Sequence, residues 1–436
     1  MTAVNDSTVS TEEKGEDTEK NDEPANTVFS SPYWLSIEEV EAKGVPRSEA
    51  EAYRRFVYKQ SFALDTWYDG NLKGHTFETE FVELTTAEID AMVRGSQFLD
   101  MEKSLTDDQQ VALVELEKKL DTAIKKFGGV GAFVKLSTRS PKDAIFYRND
   151  VDFITEVRLA VINEMEVEGQ MAKASFQRVH SFRKTNKIRL KEGENPENDS
   201  SIPKALRQQK TDSEDETFSA SLTPKEPLKN AALRAFTRVM STKNQATSGK
   251  EAMYLLRHSL RVKEDLQQIY NCNQIAGMNV SISVRKWNPD IARYPGMEFR
   301  GFVYNNELNA VSQYDDVVYY SNVTRHKEVI CTRIKAFFEQ HVKEALQEHK
   351  NYVVDFFVGP SNVYIIEINP FHNGAGACLF TWREHREIFM NGPFEFRVVQ
   401  SPRDDCLTVL HANWQSQLES IVMQKSQPPR RRCTIL

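Results

Sequence analysis

The sequence predicts an α+β protein built on antiparallel sheets. Two pairs of strand-like runs carry this reading, each joined by a turn too short for a crossover. Met297–Tyr304 and Glu307–Gln313 flank the Tyr304-Asn305-Asn306-Glu307 turn, a tight hairpin signal. Tyr352–Val358 and Val363–Ile368 flank Gly359-Pro360-Ser361-Asn362. The third observation is a set of amphipathic helices around them. Thr106-x-x-Gln109 is a capping box. It opens a helix with Leu113, Leu116, Leu120, Ala123, Ile124 and Phe127 on one stripe, stopped by Gly128-Gly129.

The remaining elements follow in order. Residues 1–28 hold almost nothing to bury and read as a disordered acidic tail. The N-terminal part of the domain spans 29–172. It starts with two helices split by Gly44-Val45-Pro46, then a strand showing Phe77, Phe81 and Leu84 and a helix capped near Thr85 or Thr86. The strand 131–136 comes next. Residues 173–229 are rich in Lys, Arg, Ser, Asn, Glu and Pro and read as a disordered insertion. A hinge and C-terminal part covers 230–400, with helices to about Tyr270 and a strand at Asn279–Trp287. A long helix from Lys327 to His349 shows Ile330, Ile334, Phe337, Phe338, Val342 and Leu346 on one side. Residues 401–436 read as a polar tail.

Composition narrows the function. The 436 residues carry 56 Lys+Arg against 63 Asp+Glu, a net −7 that gives nucleic acid no basic face. No run of about 18 apolar residues suggests a membrane span. The N-terminus lacks the apolar core of a signal peptide. Cysteines 272, 331, 378, 406 and 433 show no CxxC spacing, which disfavours a zinc site or a disulfide scaffold and fits a reducing, cytoplasmic location.

Three places put ionisable residues on apolar strands, where burial is costly unless the charge is paired or ligated. The first is Lys135 in GAFVKLS, with Arg139, Lys142 and Asp143 downstream. The second is Arg285-Lys286-Trp287, followed by Glu298 and Arg300. The third is Asp355 in YVVDFFV, with Glu367 and Asn369 in VYIIEINPF. Glu367 and Asn369 are two apart and share a sheet face. If Asp355 lies across from them, three oxygen donors converge, a set suited to Mg2+. The cations of the other groups would then meet phosphates. Gly128–Gly131 is not a phosphate loop, because it precedes a strand and lacks Gly-Lys-Ser/Thr.

The words FVKLSTRSPKDA, VRKWNPDIARYPGMEFRGFVYNNELNAVSQYD, YVVDFF and VYIIEINPF…LFTWRE resemble, in order and spacing, the cell division cycle protein 123 family. The resemblance covers about 60–400, the insertion removed. It implies an ATP-grasp fold, two lobes with antiparallel sheets and flanking helices clamping ATP·Mg. It also implies an assembly chaperone for eukaryotic translation initiation factor 2, acting on the gamma subunit, as a monomer and without touching nucleic acid. Carried over, Lys135 would contact phosphate, and Ser140, Lys142 and Asp143 would lie beside the nucleotide. Arg285, Lys286 and Trp287 would run along the adenine, and Arg300 would reach the phosphates. Asp355, Glu367 and Asn369 would hold Mg2+, so Asp355→Ala is expected to abolish Mg2+-dependent ATP binding without unfolding the chain.

The chain departs from the family at Glu367-Ile368-Asn369-Pro370 (Asp-Phe-Asn-Pro in the family), at Ser137-Thr138-Arg139 (Asn-Trp-Ser) and at Tyr314 (Arg). Cys433-Thr434-Ile435-Leu436 fits the C-a-a-X pattern, and Arg430–Arg432 would add attraction to an anionic membrane. Two other readings stay open. One is an ATP-grasp ligase joining a carboxylate to an amine through an acyl phosphate, and the other a membrane-tethered ATP-binding interaction protein.

Overall fold

The computed structural model describes residues 34–96, 105–148, 150–167, 226–273 and 275–426. Helices α1 (Ile37–Glu41) and α2 (Arg47–Gln60) are separated by Gly44, at φ +85°, and Pro46. The short α3 (Leu64–Trp67) leads to β1 (Thr79–Glu83) and α4 (Thr86–Arg94), capped by Thr85 with Glu88 reaching back. Helix α5 (Asp107–Lys125) carries the expected Thr106–Gln109 capping box and buries the expected stripe. Gly128 and Gly129, both at positive φ, turn the chain into β2 (Ala132–Leu136).

Residues 151–167 form α6. Then come α7 (Leu228–Thr242), β3 (Gln245–Ala246), α8 (Gly249–Arg257), α9 (Leu260–Asn273) and β4 (Ser281–Lys286). Helix α10 (Pro289–Arg293) precedes the hairpin β5 (Glu298–Tyr304) and β6 (Glu307–Gln313), whose turn has Asn305 and Asn306 at φ 50° and 63°. Helices α11 (Ser321–Arg325) and α12 (Lys327–Phe337) precede β7 (Tyr352–Val358) and β8 (Val363–Pro370). The chain finishes with α13 (Arg386–Asn391), β9 (Glu395–Arg397) and α14 (Ala412–Ser426).

The strands form two sheets, β1-β4-β2-β3 and β8-β7-β5-β6-β9, antiparallel throughout except for the β6–β9 pair. This is the expected α+β class. Alternation along β2 and β4 divides the first sheet into two chemistries. Val134, Leu136, Ile282 and Val284 lie on one face, and α5 and α8 pack against this sheet. Lys135, Ser283 and Arg285 lie on the other, which Lys135 and Arg285 join to β8 of the second sheet.

Three expectations change. The helix expected over 327–349 is regular only to Phe337, then widens into a π turn at Phe338–Val342, with Lys343 N bonded to Phe338 O. Phe337 and Phe338 are both buried, and the wider turn lets two adjacent rings face the core. The insertion expected to run to 229 ends sooner. Glu226 is buried in an ion pair with Arg234, and α7 starts at Leu228. The expected polar tail 401–436 is folded as far as Ser426. In α14 the residues Trp414, Leu418 and Ile421 recur at helical spacing and are buried, with Trp414 against Phe236 of α7 at 5.2 Å and Phe153 of α6 at 6.2 Å. Low overall hydrophobicity concealed that stripe. Residues 1–28, 173–225 and Cys433 lie outside the described residues. Among the described residues no helix is long and apolar enough to cross a membrane.

Candidate functional site

A polar row crosses the second sheet. Ser312 on β6, Arg300 on β5, Asp355 on β7 and Glu367 on β8 are successive cross-strand partners, so their side chains share one face. The expected pairing of Asp355 with Glu367 is therefore present, and Asn369 follows on the same strand opposite Val353. Arg300 donates from Nε and Nη2 to the two Asp355 oxygens at 2.8 and 2.7 Å. Its Nη1 donates to Gly376 O at 2.8 Å, and Leu379 N donates to Ser312 Oγ at 3.1 Å, which ties the loop after β8 to the row.

The row ends on the other sheet. Lys135 Nζ donates to Glu367 Oε2 at 3.0 Å, with its side chain almost fully buried. Arg285 staples the sheets a few residues away. It donates to Ile366 O at 2.7 Å and to Thr76 Oγ1 at 2.6 Å, while the Thr76 hydroxyl donates to Ile365 O. Beside the row lies Tyr314, with the Arg300 guanidinium 4.9 Å and the Lys142 ammonium 4.8 Å from its ring centroid. The residue that departs from the family pattern thus serves as a platform for two cations.

Burial alone would raise the Glu367 carboxyl, but Lys135 and Lys142 overcome it and hold it well below the usual range. Burial lowers Lys135, opposed by Glu367. It lowers Arg285 as well, to about 10. Desolvation also works against the Arg300 charge, yet Asp355 holds that guanidinium firmly protonated.

The expected residues do not all meet. Lys135, Lys142, Arg300, Asp355, Glu367 and Asn369 gather around one cleft, and Ser140 is buried in the turn before Lys142. Asp143 turns away to cap α9, accepting from Ser259 Oγ at 2.5 Å and Arg261 N at 3.3 Å. Strand alternation puts Lys286 on the face opposite Arg285, where it pairs with Glu78 at 2.9 Å. Trp287 is half-buried, and its backbone N–H donates to Gly131 O.

Sequence reasoning missed one wall of the cleft. A small polar cleft adjoins Lys135, lined also by Lys59, Trp67, Thr138, Glu367 and Asn369. Lys59 donates to both oxygens of the buried Asp265, which also accepts from Thr138 and Arg139. Lys59 lies on α2, Asp265 on α9, and Thr138 and Arg139 in the turn after β2, so no local spacing could join them.

Two carboxylates and one amide oxygen fit a divalent ion of the Mg2+ type, which takes one or two carboxylates and completes its shell with water and phosphate. Among the described residues no cluster of three or more His, Cys, Asp or Glu forms a fuller metal cage.

Residues 235–419 match the family model described as D123. This stretch belongs to the D123 family. The match runs into α14 and so includes the first part, 401–419, of the segment expected to be a tail. The D123 stretch supplies Arg285, Arg300, Asp355, Glu367 and Asn369, whereas Lys135 and Lys142 come from the chain before it. The Xenopus laevis "Translation initiation factor eIF2 assembly protein" is 29% identical over 184 residues, 41% of this chain and 52% of that protein. "Cell division cycle protein 123" of Candida glabrata is 30% identical over 141 residues, 31% of this chain and 38% of that protein. The chain thus spans about half, or less, of the curated relatives it matches. The solved structure of Cdc123 from Schizosaccharomyces pombe aligns with 79% of this chain and 97% of its own, at TM-score 0.47 and 16% identity.

Proposed function

We propose that this chain binds ATP with Mg2+ in the cleft between its sheets and acts as an assembly factor for eukaryotic translation initiation factor 2 through the gamma subunit. The observation that carries the nucleotide half is the in-register pair Asp355–Glu367, with Lys135 reaching Glu367 from the opposite sheet. Asp355, Glu367 and Asn369 would hold the metal, and Lys135, Lys142 and Arg300 would meet phosphate oxygens. The bound ion would neutralise phosphate charge beside those carboxylates. Tyr314 keeps Lys142 and Arg300 stationed on one side of the cleft, and Arg285 with Thr76 keeps the sheets at a fixed separation. The names borne by the relatives support the assembly half.

Calorimetry with ATP and Mg2+ tests the first half, with Asp355→Asn as the probe. Its nucleotide affinity should fall by about tenfold or more, the loss of one charged metal ligand. Unchanged affinity would overturn the metal site. Capture of purified gamma subunit by the tagged full chain tests the second half, and failure of the wild-type chain to retain it would overturn the partner.

A further inference from the structure

We infer that Lys135 is a resident counter-ion for Glu367, so that the free chain takes up a divalent cation poorly and binds it together with a polyphosphate nucleotide. The inference rests on the proposed ATP·Mg2+ site and adds an order of binding to it. Its basis is that both carboxylates on the metal side already have cations. Asp355 has two hydrogen bonds from Arg300, which is held in turn by Gly376 O. Glu367 has a single one from a cation, Lys135, across the gap between the sheets, and a longer one from the Asn369 amide at 3.4 Å. The two pairs differ in how easily they part. Arg300 is a planar fork with a third anchor, whereas Lys135 ends a flexible stem and holds one contact at 3.0 Å.

The surroundings of Glu367 make the same point. Lys135, Lys142, Arg300 and Arg285 all act on its carboxylate or feel it. A divalent ion approaching Glu367 alone would face these positive charges at close range, in a medium that screens them less than water does. The Lys135 ammonium would have to give up the Glu367 carboxylate while staying buried, which is costly. With a polyphosphate beside it, Lys135 can exchange Glu367 for a phosphate oxygen and keep a partner, and Glu367 is then released to the metal. By linkage, whatever the nucleotide adds to metal affinity, the metal adds to nucleotide affinity.

The test uses the full chain and Mn2+ as a spectroscopic substitute for Mg2+. Free Mn2+ is counted by electron paramagnetic resonance, alone and with a non-hydrolysable ATP analogue, and the Mn2+ that the analogue binds without the chain is subtracted. Wild-type chain should bind Mn2+ at least about tenfold more weakly alone than with the analogue. Lys135→Met should narrow that ratio by strengthening the binding of Mn2+ alone, while Lys135→Arg, which keeps the charge, should not. Equal wild-type affinity for Mn2+ with and without the analogue overturns the inference, and this needs no variant to fold. Analogue binding that fails both with and without metal overturns the proposed nucleotide site instead.

Discussion

Arg300 and Asp355 stand directly opposite one another on β5 and β7, and the guanidinium meets the carboxylate with two nitrogens, both groups being buried. Removing either partner therefore strands a charge. Asp355→Ala should cost about 3–5 kcal/mol of stability, which changes the sequence-based expectation that it would spare the fold. The double variant Arg300→Met, Asp355→Leu should recover most of that loss. Urea unfolding measures both, and an Ala variant within about 1 kcal/mol of wild type would contradict this account.

Thr76 is worth more than its size suggests. Its hydroxyl accepts from Arg285 and donates to Ile365 O, so Thr76→Val keeps the shape but deprives a buried donor and a carbonyl of a partner. The expected loss is about 1–3 kcal/mol by denaturant titration. Thr76→Ser should lose less, because it retains the hydroxyl.

Trp414 anchors α14. Its ring packs on Phe153 and Phe236, and its Nε1 donates to Phe146 O at 3.3 Å. Trp414→Ala should destabilise the chain by about 3–5 kcal/mol. Thermal unfolding at the wild-type midpoint would show that α14 is a dispensable appendage.

His258 supplies a pH dependence. Burial lowers its pKa from 6.5, partly offset by the hydrogen bond to Tyr254 O, and the neighbouring Arg257 and Arg148 lower it further. The folded chain thus resists a proton that the unfolded chain accepts. The stability His258 contributes is intact above about pH 6.5 and falls as pH drops below that value. His258→Gln should flatten the decline between about pH 6.5 and 5 relative to wild type. A decline of identical slope in the variant would remove His258 from the explanation.

Much of this was legible because the signal was local. The Thr106 and Thr85 caps, the Asn305-Asn306 turn and the alternation around Asp355 and Glu367 each lie within one element or one hairpin. What stayed hidden depends on distant partners. Asp265 reads as one acidic residue on a helix until Lys59, Thr138 and Arg139 are brought to it. Asp143 looked like part of the nucleotide turn, because nothing beside it shows that Ser259 and Arg261 need its oxygens. The π turn after Phe337 was hidden for another reason. Its apolar spacing satisfies a regular helix, and only the packing of two adjacent rings decides otherwise.

The last helix has a topological consequence. In the sequence α6 and α7 bracket residues 168–227, and α14 fastens both of them. Arg158 of α6 donates to Gln417, Ser420 and Gln424 of α14, while Phe236 of α7 meets Trp414 from the other side. A protease nick anywhere in 168–225 would therefore leave two fragments that elute as one particle on gel filtration and separate only on denaturation. The polypeptide can be severed there without the domain coming apart.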